Sequence, residues 1–260
     1  MKRASVITMC ILICAGCRSA NEKTPVWGDV KIKELAAARH SQPTGSVVEP
    51  SVQFNVYIFS VPAANFASAR DSWTTLSTKS ILFTNLDLFG KNGFVVGAGR
   101  TDTWEPIAEK LRAAGGKNQR TVDLIMPPNN TDYVSLIRFA GEKNIFYRME
   151  NNQVNGVTLG PGEAMLRLTA ATIPDMRGVC SLTVEPIFKN VAKPDVSSAG
   201  ADELAFNTVS FRAKMSPGDL ILLGPANYAK QDMTLSGIFF AAQNQPVVQL
   251  YLIVCMEVSN

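Results

Sequence analysis

His40 is the only imidazole among 260 residues, and that limits the chemistry open to the chain. Zinc sites built on several histidines, Ser-His-Asp and Cys-His catalysis, and histidine proton relays all require His40 to supply the ring. It stands beside Ser41, Gln42 and Pro43 in a weakly periodic segment, so the expectation is an exposed imidazole without a catalytic duty. Five cysteines, Cys10, Cys14, Cys17, Cys180 and Cys255, offer thiol chemistry. Neither Cys180 nor Cys255 has a histidine or second cysteine at metal-ligand spacing, so no metal site is expected. Ser72, Ser181 and Ser210 lie in no nucleophile-elbow pattern, and no carboxylate pair has a spacing that implies shared acid/base work. Gly97-Ala98-Gly99 stands between a strand and a helix signal but lacks the third glycine of a dinucleotide loop, and Asp102 would repel a pyrophosphate at the helix start. The expectation is a chain that is not an enzyme and holds no cofactor. Lysine- or carboxylate-based chemistry is the catalytic route left open.

Three of the cysteines belong to an address rather than a site. Lys2 and Arg3 precede an apolar stretch from Ala4 to Ala15, a basic region and a short apolar region of the length a secretory signal uses and too short to span a bilayer comfortably. It ends in Cys14-Ala15-Gly16-Cys17, which resembles the lipobox of bacterial lipoproteins. That resemblance implies a signal peptide over residues 1–16 and a lipidated Cys17 as the mature N-terminus. Cys14 stands where an aliphatic residue is usual. Arg18 follows in place of aspartate, which implies the outer membrane in a cell with two. An ordinary cleaved signal or an uncleaved anchor is the alternative.

Charge and the remaining thiols follow from that address. The formal net charge of +3 falls to +1 once Lys2 and Arg3 are removed, and the Lys110, Arg112, Lys117, Arg120 group reads as a solvated helix end, so no nucleic acid is expected as a partner. Export permits a disulfide between Cys180 and Cys255. Both lie in strand-like runs, Val179 to Ile187 and Val247 to Val258, where they could equally be small buried hydrophobes.

The elements that would position these residues are read from periodicity. Residues 17–51, rich in proline and glycine, read as the lipidated cysteine and a flexible tether. A 34-residue coil of this kind spans roughly 30–35 Å. From Val52 alternation predicts a strand, then a helix carrying Phe66, Ala69, Trp73 and Leu76 capped by Asn65. Two strands over Ile81 to Val96 broken at Gly90 to Gly93 follow, and then a helix from a capping arrangement at Asp102 and Glu105 to Gly115. This is a βαββα, α+β unit over 52–116. Residues 117–260 show alternating runs at Thr121–Met126, Tyr133–Phe139, Ile145–Met149, Met165–Ala170, Val179–Ile187, Ala205–Met215, Leu220–Leu223, Leu235–Phe240 and Val247–Val258. Turn clusters at Pro127–Asn130, Asn151–Gly156, Gly160–Gly162, Ser216–Asp219 and Gln243–Pro246 separate them, and Asn190 to Asp202 reads as a loop. The expectation is a mainly antiparallel β sandwich or sheet domain.

The order of elements, with Val179 to Pro186, Phe211 to Leu223 around Pro217-Gly218-Asp219, Leu235 to Phe240, and Leu250 to Cys255, resembles secretins. That resemblance implies an envelope protein using its fold for assembly. The chain is short for a secretin, and Leu235 to Phe240 is shorter than the roughly 9–11 residues of a spanning strand. The functional expectation is therefore a membrane-anchored envelope component that binds a partner or itself through sheet edges or an apolar face. The alternative is a small-ligand module with an apolar pocket lined by Phe206, Phe211, Phe239 or Tyr251.

Overall fold

The computed structural model describes residues 50–190, 203–228, 233–242 and 245–259. The signal, Cys17, His40, nearly all of the tether, most of the 190–202 loop and part of the Gln243–Pro246 turn lie outside the described residues.

Thirteen strands among the described residues form two antiparallel sheets and a hairpin. The strands are β1 Ser51–Pro62, β2 Ile81–Phe83, β3 Phe94–Arg100, β4 Lys117–Met126, β5 Thr131–Phe139, β6 Lys143–Arg148, β7 Val154–Leu159, β8 Gly162–Thr172, β9 Cys180–Asn190, β10 Glu203–Ala205, β11 Phe211–Met215, β12 Asp219–Pro225 and β13 Val247–Ser259. The helices are α1 Phe66–Arg70, α2 Leu86–Lys91, α3 Trp104–Ala113 and α4 Leu235–Phe240. The first sheet runs β3-β12-β13-β1-β4, the second β2-β11-β9-β8-β5 with β10 added to β9, and β6-β7 form the hairpin. Strands from both sides of residue 116 thus share both sheets, and one apolar core joins them.

Sequence character follows from the layers. In β12, Leu220 to Leu223 are all buried, as are Leu250 to Cys255 of β13, because the first sheet is covered on both faces. The second sheet lies on one face. On the other, the Phe59 ring stacks on Trp104 of α3 at 5.8 Å and Trp73 donates from Nε1 to the carbonyl of Leu222 at 3.1 Å. A strand buried on two faces reads as a continuous apolar run. In the second sheet, β8 alternates buried Ala164, Leu166, Leu168 and Ala170 with half-buried residues such as Arg167, because its outer face meets water.

Several local expectations change. Ile81 to Val96 contains a helix, α2, between its two strands, with the Asn85 side chain accepting from the Leu88 N–H at 3.0 Å. Leu235 to Phe240 is a helix rather than a strand, capped by Thr234, which accepts from Gly237 at 3.1 Å. A six-residue run with four apolar side chains fits either period, and packing between the sheet ends decides for the helix. Asn65 precedes α1 but does not cap it with its side chain; it donates instead to the carbonyl of Ala114 at 3.1 Å, closing the end of α3. No reciprocal box forms at Asp102 and Glu105. Thr103 Oγ1 donates to the Arg100 carbonyl and Glu105 pairs with Arg112 at 3.0 Å. Val154 to Leu159 forms the strand β7, whose first three residues lie inside the expected Asn151–Gly156 turn cluster and shorten that turn.

Candidate functional site

The residues with chemistry are distributed by the two edges of the sandwich. At one edge the chain crosses from β11 to β12 through Ser216, Pro217 and Gly218. The Ser216 N–H donates to Asp219 Oδ2 at 2.7 Å, the Asp219 N–H returns to the Ser216 carbonyl at 2.9 Å, and the Gly218 N–H donates to the Cys255 carbonyl at 2.9 Å. Gly218 has φ +88°, a conformation that favours glycine. Cys180 pairs in register with Met215, the last residue of β11, and Cys255 with Phe54 on β1. Paired residues of an antiparallel ladder share a face, so Cys180 shares the buried face of Met215 and Cys255 that of Phe54. Both cysteines are buried and unbonded. Interaction with Cys180, together with burial, raises the Cys255 thiol far above its ordinary value, while Cys255 lowers that of Cys180.

The neighbouring edge strand β3 is sealed. The Ser77 N–H donates to the Ala98 carbonyl at 2.9 Å and the Ala98 N–H to the Ser77 carbonyl at 2.8 Å. A Cβ on Gly97 would stand 2.6 Å from Leu76 Cβ, and one on Gly99 2.5 Å from Thr103 Oγ1. The two glycines therefore admit the strap from Trp73 to Ser77 and leave no space for a phosphate cradle.

The opposite edge is different. β4 and β5 pair inward with β1 and β8, and no strand among the described residues pairs with their outer sides. Exposed side chains along them include Lys117, Arg120, Asp123 and Arg138, and two apolar ones, Ile125 at 69% and Tyr133 at 41% exposure. The turn between these strands, Pro127 to Asn130, places Asn129 at φ 66°. Exposure of Ile125 and Tyr133 gives no periodic signal in the sequence, because their alternation is that of any half-buried strand.

A hollow of about 240 Å³ lies beside the β6-β7 hairpin, lined by Lys91, Arg148, Phe146, Val154 and Leu235 among others. Its floor is set by Asn92, whose amide donates to the Arg148 carbonyl at 3.0 Å and accepts from the Arg148 N–H at 2.7 Å. The apolar pocket expected around Phe206, Phe211, Phe239 and Tyr251 is not a pocket: all four are buried in the core. Phe239 meets Phe206 and Phe94 at 5.9 Å each, Phe240 meets Tyr251 at 5.5 Å, and Phe211 meets Phe89 at 5.9 Å. Rings fill the volume between the sheet ends, where α2 and α4 insert. The Tyr251 hydroxyl is bonded to the Phe239 carbonyl, and burial raises its pKa well above that of a free phenol.

Arg167 on β8 joins Glu185 of β9 at 2.9 Å and also Glu203 of β10. One guanidinium between two carboxylates ties three strands together; its own charge is further secured chiefly by the bond to Glu185. Among the described residues no group of three or more His, Cys, Asp and Glu is placed to hold a metal ion, and no helix is long and apolar enough to cross a membrane.

No family model and no curated protein matches the sequence. Solved structures similar to it include the InvG secretin domain β-barrel of the Salmonella SPI-1 injectisome, at 13% identity over 82% of this chain and 64% of that one, with a TM-score of 0.26. A second is the V. cholerae type IV competence pilus secretin PilQ, at 9% identity over 80% of this chain and 61% of that one, with a TM-score of 0.22. The chain thus spans less than two thirds of the length of either.

Proposed function

We propose that this protein is a lipid-anchored component of the cell envelope, facing the periplasm from the outer membrane, that acts without catalysis by docking an envelope protein or a second copy of itself. The observation that carries the reading is the β4-β5 edge, whose outer sides pair with no strand among the described residues, with Ile125 and Tyr133 exposed along it. An unpaired edge is a row of free backbone donors and acceptors, which an incoming strand can satisfy while apolar side chains add area. Charges of both signs along the edge disfavour indiscriminate pairing and leave selection to a complementary partner. Cys17 would carry the lipid, and the tether of roughly 30–35 Å would let the sandwich reach partners away from the bilayer surface. The secretin-like order of elements read from the sequence belongs to the same picture.

The test places a photo-crosslinking residue at Ile125 or Tyr133 in the exported full-length chain, with one at the exposed Glu109 of α3 as control. Adducts of higher mass are expected from the two edge positions and not from Glu109. Absence of adducts from both edge positions would remove the docking reading. For the address, Cys17→Ser should abolish lipid labelling and release the chain from the membrane fraction; unchanged labelling would exclude Cys17 as the acceptor.

A further inference from the structure

We infer that Cys180 and Cys255 are a disulfide site that staples the two sheets together at the β11-β12 corner. The two residues lie far apart in sequence on strands of different sheets, β9 and β13. The corner nevertheless brings both to one place. Cys180 stands opposite Met215, which enters the turn, and the carbonyl of Cys255 accepts from Gly218, which leaves it. The turn is closed by the bond from the Asp219 N–H to the Ser216 carbonyl, which brings β11 and β12, and with them their neighbours β9 and β13, to one corner. Met215 is buried on the covered face of the second sheet, which places Cys180 inward, and Cys255 is buried in the first sheet. A bridge between them requires alpha carbons within about 7 Å.

The reaction needs an oxidant, and export supplies the class: a small-molecule or protein disulfide. One thiolate attacks the oxidant's disulfide and releases a thiol. The second cysteine then attacks the mixed disulfide, forming the Sγ–Sγ bond and releasing the second thiol. Two protons and two electrons leave the pair, and one disulfide is reduced to two thiols. Both sulfurs are buried in the folded chain, so the bond forms while the corner is still open during folding. Once formed, it closes a loop of about 75 residues and is shielded from reductant. The inference rests on export only for the oxidant in the cell, and the test is therefore made in a defined redox buffer.

Full-length chain with Cys10, Cys14 and Cys17 changed to serine, leaving only the pair, is unfolded and refolded in equimolar oxidised and reduced glutathione. Free thiols are then trapped with N-ethylmaleimide under denaturing conditions. The expected product is a monomer about 2 Da lighter than the reduced chain, unlabelled before reduction, with peptides containing Cys180 and Cys255 linked. Reductant should lower its unfolding midpoint by roughly 10 °C, and should leave unmoved that of a form also carrying Cys180→Ala and Cys255→Ala. Two labelled thiols in the refolded chain, or glutathione held on each cysteine separately, would overturn the inference. Failure of the Cys17 labelling experiment would leave this result untouched, so the two readings fail independently.

Discussion

Two of the corners at which the chain passes between its sheets are built in opposite ways. At β11-β12 the turn is bonded to itself and to β13, the thiol pair lies behind it, and the adjacent edge strand β3 is strapped by Ser77. At β4-β5 the turn is exposed, the edge strands are long, and Ile125 and Tyr133 stand in water. Both corners begin from the same kind of sequence, a proline-containing polar cluster between alternating runs. The difference lies in what the rest of the chain brings to each. Of the four strands that end the two sheets, β3 is bridged by Ser77, whereas β2, β4 and β5 have no strand among the described residues on their outer sides.

Substitutions at the two sides should therefore behave differently, and the largest effect belongs to the filled end. Phe94→Ala, which removes a ring packed against Phe89, Phe239 and Phe240, should destabilise by about 3–5 kcal/mol in urea unfolding. A loss below about 1 kcal/mol would mean that the aromatic end is loosely packed. Gly97→Ala should cost about 1–3 kcal/mol, since its methyl must displace Leu76 and loosen the strap on β3. If the variant is as stable as wild type, the seal on that edge is weaker than its hydrogen bonds imply.

Tyr251 offers a pH-dependent test. Burial raises its folded-state value above the unfolded value near 10, so the native chain holds this proton more tightly. Its contribution is complete below pH 10 and falls as pH rises above it, by up to about 1.4 kcal/mol per pH unit. Tyr251→Phe should lose about 1 kcal/mol at neutral pH, from the bond to the Phe239 carbonyl, and should show a shallower alkaline decline. An unchanged alkaline slope would assign the decline to other groups. The smallest effect on stability belongs to the open edge. Ile125→Lys should change unfolding by less than about 0.5 kcal/mol yet abolish crosslinking from Tyr133, and retention of those crosslinks would move the docking surface elsewhere.

Legibility in the sequence followed the same division between local and distant causes. Strands β1, β9 and β13 and both proline turns could be read because alternation and turn chemistry are local. The helix α4 could not, since six residues with four apolar side chains carry no decisive period and its place among Phe94, Phe206 and Tyr251 arises from partners far along the chain. Asn65 was read as a cap for the helix that follows it; the structure uses it on a helix end some fifty positions later. Phe206, Phe211, Phe239 and Tyr251 were recognisable as apolar and adjacent to sheets. Whether they line a void or fill one depends on α2 and α4 arriving between the sheet ends. Of the site residues, Cys180 and Cys255 were legible as candidates and not as neighbours.

By itself the sequence determined most of the extended runs and several of the turns between them. Those properties depend on residue type and on spacing of a few positions. The tertiary structure decided which edge strand is strapped, that β9 and β13 carry their cysteines to one corner, and that an apparent pocket is a packed aromatic core. Each of these depends on pairing between segments tens of residues apart, where the free energy comes from shared burial and register and no single segment encodes its partner.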